Sequence, residues 1–228
     1  MSIHKQDKGK RGSLKWIQKL INERSEIIAP PIVRALGLDC GKCVEWRSPC
    51  GPQFTEYRDS DFLKAIGHSE CEASLRQFWP PHGPQWDALG VVSDGTVVLV
   101  EAKAHIAEVF TTIKAKKPKS CAKIEASIQR TWADLGIESA YPWTAPFYQY
   151  ANRVAHLHFL HNMCNIPTIL VFVHFLGDED MDGPRRRGEW KETNREIRKY
   201  LGLTGNAIEK RILDVFIKVS DLTNSASK

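Results

Sequence analysis

No stretch of the 228-residue sequence approaches the roughly 20 consecutive apolar residues that a helix needs to cross a bilayer. The polar opening MSIHKQDKGKRG has no apolar core of a secretory signal behind it. A soluble, cytoplasmic chain is therefore expected, with no membrane partner. Cysteine is sparse as well: six in a chain this long are too few for a disulfide scaffold, and a reducing compartment would keep them as thiols. Cys40-x-x-Cys43 with Cys50 offers three thiolates to zinc, with His68 or Cys71 as a fourth ligand. The second Cys-x-x-Cys pair of a strong zinc signature is missing, and free buried thiols are the expectation. Internal repeats and low-complexity tracts are absent. So is a strong charge of one sign, since 32 Lys and Arg stand against 27 Asp and Glu. The excess of +5 favours polyanionic partners without requiring them.

What is present is enough chain for one domain with a real core, or one domain with an appended arm. Residues 1–12 are basic and without apolar period, and read as a frayed arm. Ser13 looks like an N-cap, followed by a helical stripe of Trp16, Ile17, Leu20 and Ile21, which can pack internally or across a homodimer. Residues 27–38, broken by Pro30 and Pro31, lead to a cysteine-bearing segment with a short strand around 44–47. Residues 59–77 show helical spacing, weakened at Gly67 and ended by Pro80 and Pro81. Two β-branched runs, 86–92 and 97–102, flank a Ser-Asp-Gly turn, the best hairpin signal in the chain. Helices follow at 120–135 and 147–163. The apolar run 168–175 reads as a strand buried on both faces, a polar helix spans 189–201, and a last strand covers 212–219. This order describes an α/β fold, a mixed central sheet flanked by helices. The division expected is 1–58 for the arm, first helix and cysteine segment, and 59–228 for the main domain.

Charged residues interrupt the second hairpin strand where a core residue is expected, which is costly unless they are paired or bound to a metal. Strand alternation puts Glu101 and Lys103 on one face, with Ala102 turned away. Whether Asp87 joins them depends on the turn. A two-residue loop at Asp94-Gly95 pairs Asp87 with Ala102, on the wrong face. A three-residue loop, Ser93-Asp94-Gly95 with Gly95 in the left-handed conformation, pairs Val92 with Thr96 and Asp87 with Glu101. The three-residue loop, or an equivalent bulge, is expected because only an odd shift brings the carboxylates together. Two carboxylates across a strand pair then suit a hard divalent cation, with the Ala102 backbone carbonyl as a further ligand and Lys103 to stabilise charge or orient an attacking water.

Pro84-Gln85-Trp86-Asp87, followed after an apolar strand by Glu101-Ala102-Lys103, resembles the motif of the PD-(D/E)XK nuclease superfamily. The spacing departs in one respect: two residues separate Pro84 from Asp87. The resemblance implies hydrolysis of nucleic-acid phosphodiester bonds with Mg²⁺ or Mn²⁺, DNA being the expected substrate. It implies Asp87 and Glu101 as metal ligands, Lys103 as the catalytic lysine, and a restriction endonuclease-like αβββαβ core over 59–175. It also implies a glutamate on the preceding helix, for which Glu72 stands first and Glu70 second. Some relatives carry Gln-x-x-x-Tyr on a later helix. Gln149 matches its first residue, but the fourth position beyond is Arg153; the two share a helix face and can contact phosphate.

Lys114, Lys116, Lys117 and Lys119 follow the site strand, and Arg185, Arg186 and Arg187 form a second basic loop. Both can grip a phosphate backbone or simply be solvated charge. His156, His158 and His161 share a helix and read as core or surface histidines rather than ligands. Trp16, Trp79, Trp86, Trp132, Trp143 and Trp190 can stack on bases but read mainly as packing residues. The alternative to an enzyme is a non-catalytic nucleic-acid-binding or assembly module on the same fold.

Overall fold

A computed structural model describes residues 6–39, 43–138 and 141–223. Its centre is a five-stranded mixed sheet in sequence order: β1 (Val44–Ser48), β2 (Ala88–Val92), β3 (Val97–Lys103), β4 (Thr168–Leu176) and β5 (Ile212–Lys218). β1, β2 and β3 run antiparallel, and β3, β4 and β5 run parallel. All residues of β3 and β4 are buried, as continuous apolar strands in the middle of a covered sheet must be.

Alternation along these strands divides the core in two. Leu89, Val97, Leu99, Leu170 and Phe172 face one layer, built from α3 (Asp59–Ala65), α4 (Glu72–Phe78), α5 (Pro118–Leu135), α6 (Tyr148–His158) and α7 (Arg187–Tyr200). Val98, Val100, Ile169, Val171 and Phe175 face the other, built from α1 (Gly12–Glu23), α2 (Ser25–Ala35) and α8 (Val219–Thr223). The Trp16, Ile17, Leu20 and Ile21 stripe is consumed inside this second core, so it is not left over for a dimer. Residues before 59 thus supply one covering layer and an edge strand of the same sheet. Among the described residues no helix is long and apolar enough to cross a membrane.

Several expectations change. Pro30 and Pro31 lie inside α2 and do not break it, because Ile28, Ile32 and Val33 bury one stripe against the sheet and outweigh the two lost backbone donors. The expected helix over 59–77 is instead two, α3 and α4, separated at Gly67, whose φ of +86° is a conformation glycine adopts readily. Helix α6 passes directly into a π-helical turn, Phe159–Met163. Over 59–175 the chain contributes three strands, but the third antiparallel member of the sheet, β1, comes from before the helices rather than after them. The arm is not frayed where it is described: Gly9 N donates to Gln18 Oε1 at 2.7 Å, Gln18 Nε2 donates to the Asp7 carbonyl, and Gln6 Nε2 reaches Glu56 Oε2 at 2.9 Å.

Candidate functional site

The hairpin turn sets the geometry. Val92 N donates to Thr96 O at 2.8 Å, Gly95 N returns to Val92 O, and Gly95 has φ +89°. These are the marks of the three-residue loop. The ladder beyond pairs Val91 with Val97, Leu89 with Leu99 and Ala88 with Val100, which carries Asp87 opposite Glu101. At that point the strands part. Trp86 N turns away to Tyr57 O, and the ladder position it vacates is filled by the Asp87 side chain, whose Oδ2 accepts from Ala102 N at 2.7 Å. The N–H and C=O of one strand residue leave on the same side, so the Ala102 carbonyl also faces the strand edge that Asp87 guards. A fork between two strands is thereby lined by a carboxylate, a backbone carbonyl and the side chains of Glu101 and Lys103.

Glu101 is the most enclosed of these, 1% exposed. Its Oε1 accepts from Lys103 Nζ, and its Oε2 accepts from Arg153 Nε at 2.6 Å. Lys103 is completed by Gln149 Oε1 at 3.0 Å. Arg153 also donates to the Gln85 carbonyl at 2.8 Å and lies over the Trp86 ring, 4.8 Å from its centroid. Gln149 and Arg153, one turn apart on α6, therefore reach the hairpin. Arg153 is a buried partner of Glu101 rather than a grip on phosphate.

The glutamate beside the pair is not on a helix. Glu72 directs its carboxylate to Arg76 on its own helix, and Glu70 pairs with His68 at the surface. Glu56, in the loop before α3, is 6% exposed and lies near enough to Glu101 and Asp87 to disfavour their joint ionisation. Its Oε2 accepts from Gln85 Nε2 at 2.7 Å and from Gln6, while its Oε1 is buried with no hydrogen-bond partner among the described residues. Sequence periodicity had no means of finding Glu56, since that loop meets the hairpin through the Tyr57–Trp86 bridge and the Gln85–Glu56 hydrogen bond, contacts between segments far apart in the chain.

The electrostatics follow from this inventory. Burial, and then the charge of Glu101, push the Asp87 carboxyl well above its ordinary range, although Asp87 is the carboxylate that still reaches solvent. Burial, and then Glu101, also raise Glu56 to about 7. Burial works against ionised Glu101 too, but Arg153 and Lys103 outweigh it and hold its pKa low. Lys103 stays charged for the converse reason: burial opposes its charge, and Glu101 and Asp87 more than compensate. Three carboxylates stand against two cations, and the two carboxyls without a cationic partner are the ones with raised pKa.

A hard cation fits that imbalance. The orphaned Glu56 Oε1 and the weakly ionising Asp87 are acceptors in want of positive charge, whereas Glu101 already holds two. Among the described residues no group of three or more His, Cys, Asp or Glu forms a metal cage. The donor set instead suits an ion that takes one or two carboxylates and keeps its water, as Mg²⁺ does.

The remaining residues sort by burial. On β4, His174 is in register with Lys103, 1% exposed and held below its usual pKa by burial. It contacts Asn194 at 2.8 Å and Asp214 at 3.4 Å, a buried polar group beside the site that sequence reasoning missed. Lys114, Lys116, Lys117 and Lys119 are exposed in the segment that follows β3, and Thr111 Oγ1 in that segment accepts from Gln149 N at 2.7 Å. Arg185, Arg186 and Arg187 are exposed at the start of α7, the first of them beside Glu179. Trp16, Trp79, Trp86, Trp143 and Trp190 are buried, and Trp132 is partly buried and packed on the core, so all six serve packing. His156 lies in the aromatic core, its ring 4.8 Å from Trp79, and burial drives its pKa to about 3. Of the zinc candidates, Cys43 and Cys50 are exposed free thiols, Cys71 is a buried one, His68 is engaged with Glu70, and Cys40 lies outside the described residues. Comparison with known proteins found no matching family model, no matching curated protein and no matching solved structure.

Proposed function

We propose that the protein is a Mg²⁺- or Mn²⁺-dependent nuclease that hydrolyses phosphodiester bonds, with DNA as substrate. The observation that carries this is the register of the hairpin, which sets Asp87 against Glu101 and gives Lys103 the same face. In this reading Asp87 and Glu101 would hold the cation with the Ala102 carbonyl, and the buried Glu56 Oε1 would accept from a water that the ion keeps. When bound, the ion supplies Lewis-acid polarisation of the scissile phosphate and an acidified water. Lys103, kept cationic by Glu101 and steered by Gln149, stabilises the charge that grows on the phosphoryl oxygens. The exposed lysines after β3 take the neighbouring phosphates.

The test incubates plasmid, single-stranded DNA and RNA with Mg²⁺, Mn²⁺ or EDTA, beside Asp87→Asn and Lys103→Ala. Cleavage should need the metal and fall at least about 100-fold in each variant. Cleavage that survives both substitutions rejects the reading. One observation favours a second reading, a nucleic-acid-binding module without catalysis: both Glu101 oxygens are already occupied by cationic side chains. Salt-sensitive DNA binding with no metal-dependent cutting would select it.

A further inference from the structure

The tryptophans named above are spent on packing, but other aromatic rings are not withdrawn from water. Among the described residues the large apolar side chains left exposed are Phe110 at 59% and Tyr141 at 54%. They belong to one row. The Phe110 ring centroid lies 5.5 Å from that of Phe147, Phe147 meets Tyr200 edge to face at 5.2 Å, and Tyr200 stacks on Tyr141 at 4.6 Å with the rings 16° apart. The row is anchored in its middle, where Phe147 and Tyr200 pack on the core and Tyr200 Oη donates to the Ala145 carbonyl at 2.9 Å. Its two ends stand in solvent. A single exposed apolar residue needs no explanation, whereas a contiguous patch of them marks a binding surface.

Backbone contacts tie this row to the carboxylate fork. Thr111, directly after Phe110, forms a β-bridge with Phe147; its carbonyl accepts from Tyr148 N at 3.1 Å and its Oγ1 from Gln149 N at 2.7 Å. Gln149 Oε1 in turn accepts from Lys103 Nζ at 3.0 Å. The end of the row at Phe110 is thus one residue from the group that seats Gln149, and Gln149 steers Lys103. Positive charge borders the rings. Ile113 N donates to Thr144 O at 3.0 Å, so Lys114 extends the segment that runs beside 144–148, with Lys116, Lys117 and Lys119 after it, and Lys199 directly precedes Tyr200. All five lysines are exposed.

Flat apolar rings edged by ammonium groups complement a polymer of flat bases joined by phosphates, provided that the base faces are free. In a duplex each face is covered by the next base pair, whereas a single strand can lay its bases on protein rings. We propose that the row is a stacking platform for single-stranded DNA, with bases on Phe110 and Tyr141, the adjoining phosphates at Lys114 and Lys199, and the strand led along Thr111 and Gln149 to Lys103. The platform names the strand state of the substrate and rests on the nuclease reading for the direction in which the strand is led. Every base has a π-face, so stacking here carries no base preference.

Fluorescence anisotropy of the full chain in EDTA tests it with a labelled short oligothymidylate, a duplex and an abasic strand of the same length, and oligouridylate. Oligothymidylate should bind at least about tenfold more tightly than the duplex or the abasic strand. Phe110→Ala and Tyr141→Ala should each weaken its binding about fivefold or more without changing the dependence on salt, while Phe110→Trp and Tyr141→Phe retain it. Lys114→Ala should instead lower the salt slope by about 0.7. The altered side chains are exposed, and circular dichroism of each variant verifies the fold. The platform and the nuclease fail separately. Binding of this pattern without metal-dependent cutting rejects the nuclease and keeps the platform; cutting in Mg²⁺ that is equal on duplex and single strand, and unchanged in Phe110→Ala and Tyr141→Ala, rejects the platform and keeps the nuclease. The proposal is also overturned if the abasic strand or the duplex binds as tightly as oligothymidylate, if the two alanine variants bind as the parent does, or if oligouridylate binds more tightly. A dimer in sedimentation that Tyr141→Ala dissociates would overturn it too, since the row would then be covered by a second copy of the chain.

Discussion

Glu101 shows how much a single buried charge depends on its neighbours. Its carboxylate neutralises both Lys103 and Arg153 in a space with almost no water, so truncation leaves two cations uncompensated. Glu101→Ala should therefore destabilise the fold by about 3–5 kcal/mol, a large part of the stability of an ordinary domain. Urea denaturation checks this, and a loss under 1 kcal/mol would show the network to be solvated. Glu56 carries the opposite sign. Its pKa rises from an unfolded value near 4.5 to about 7, so between those values the folded protein binds more protons than the unfolded chain. Stability from this group is then present below pH 4.5 and is lost as pH rises through about 7, by on the order of 3 kcal/mol. Glu56→Gln should flatten that part of the stability–pH curve, and a curve unchanged by the substitution would refute the assignment. His156 works from the acid side. Its folded pKa is depressed to about 3, so the stability it contributes is present above pH 6.5 and falls away as pH drops towards 3.

At the scale of elements, the hairpin turn is the decisive piece. One residue more or less in the loop moves every side chain of β2 to the other face, so Gly95 settles where Asp87 goes. The neighbouring strand pair has its own constraint. A Cβ at Gly90 would lie 2.7 Å from Val44 Cγ1 and 3.1 Å from Trp46 Cε3, so β1 and β2 approach this closely only because the position is glycine. Gly90→Ala should cost about 1–3 kcal/mol and loosen β1 first, visible as faster amide exchange in Val44–Ser48 than in β4. Equal exchange in both strands would show that the clash is absorbed elsewhere. α2 carries a different lesson. Two prolines argue for a break by local propensity, yet the buried stripe Ile28, Ile32 and Val33 keeps the segment helical, so tertiary burial overrides the local signal.

For the whole molecule, one sheet serves two cores, and β3 and β4 contribute to both. Damage to one layer should reach the other. Leu20→Ala, in the layer remote from the carboxylate site, should lower stability by about 2–5 kcal/mol, with far-ultraviolet and near-ultraviolet circular dichroism transitions still coinciding. Separate transitions would mean that the two layers unfold independently. The α/β class, the strands at the middle of the sheet and the hairpin with its three polar residues were legible in the order of the amino acids. These depend on the period of the apolar residues and on a glycine in a turn, both of them local properties. It also held the register, once the demand that Asp87 and Glu101 share a face was imposed. Tertiary packing alone makes Glu56 the third carboxylate and commits Arg153 to Glu101. Those facts depend on which distant segments meet. Contact between segments far apart in the chain is set by the packing of two cores, which no spacing along the sequence records.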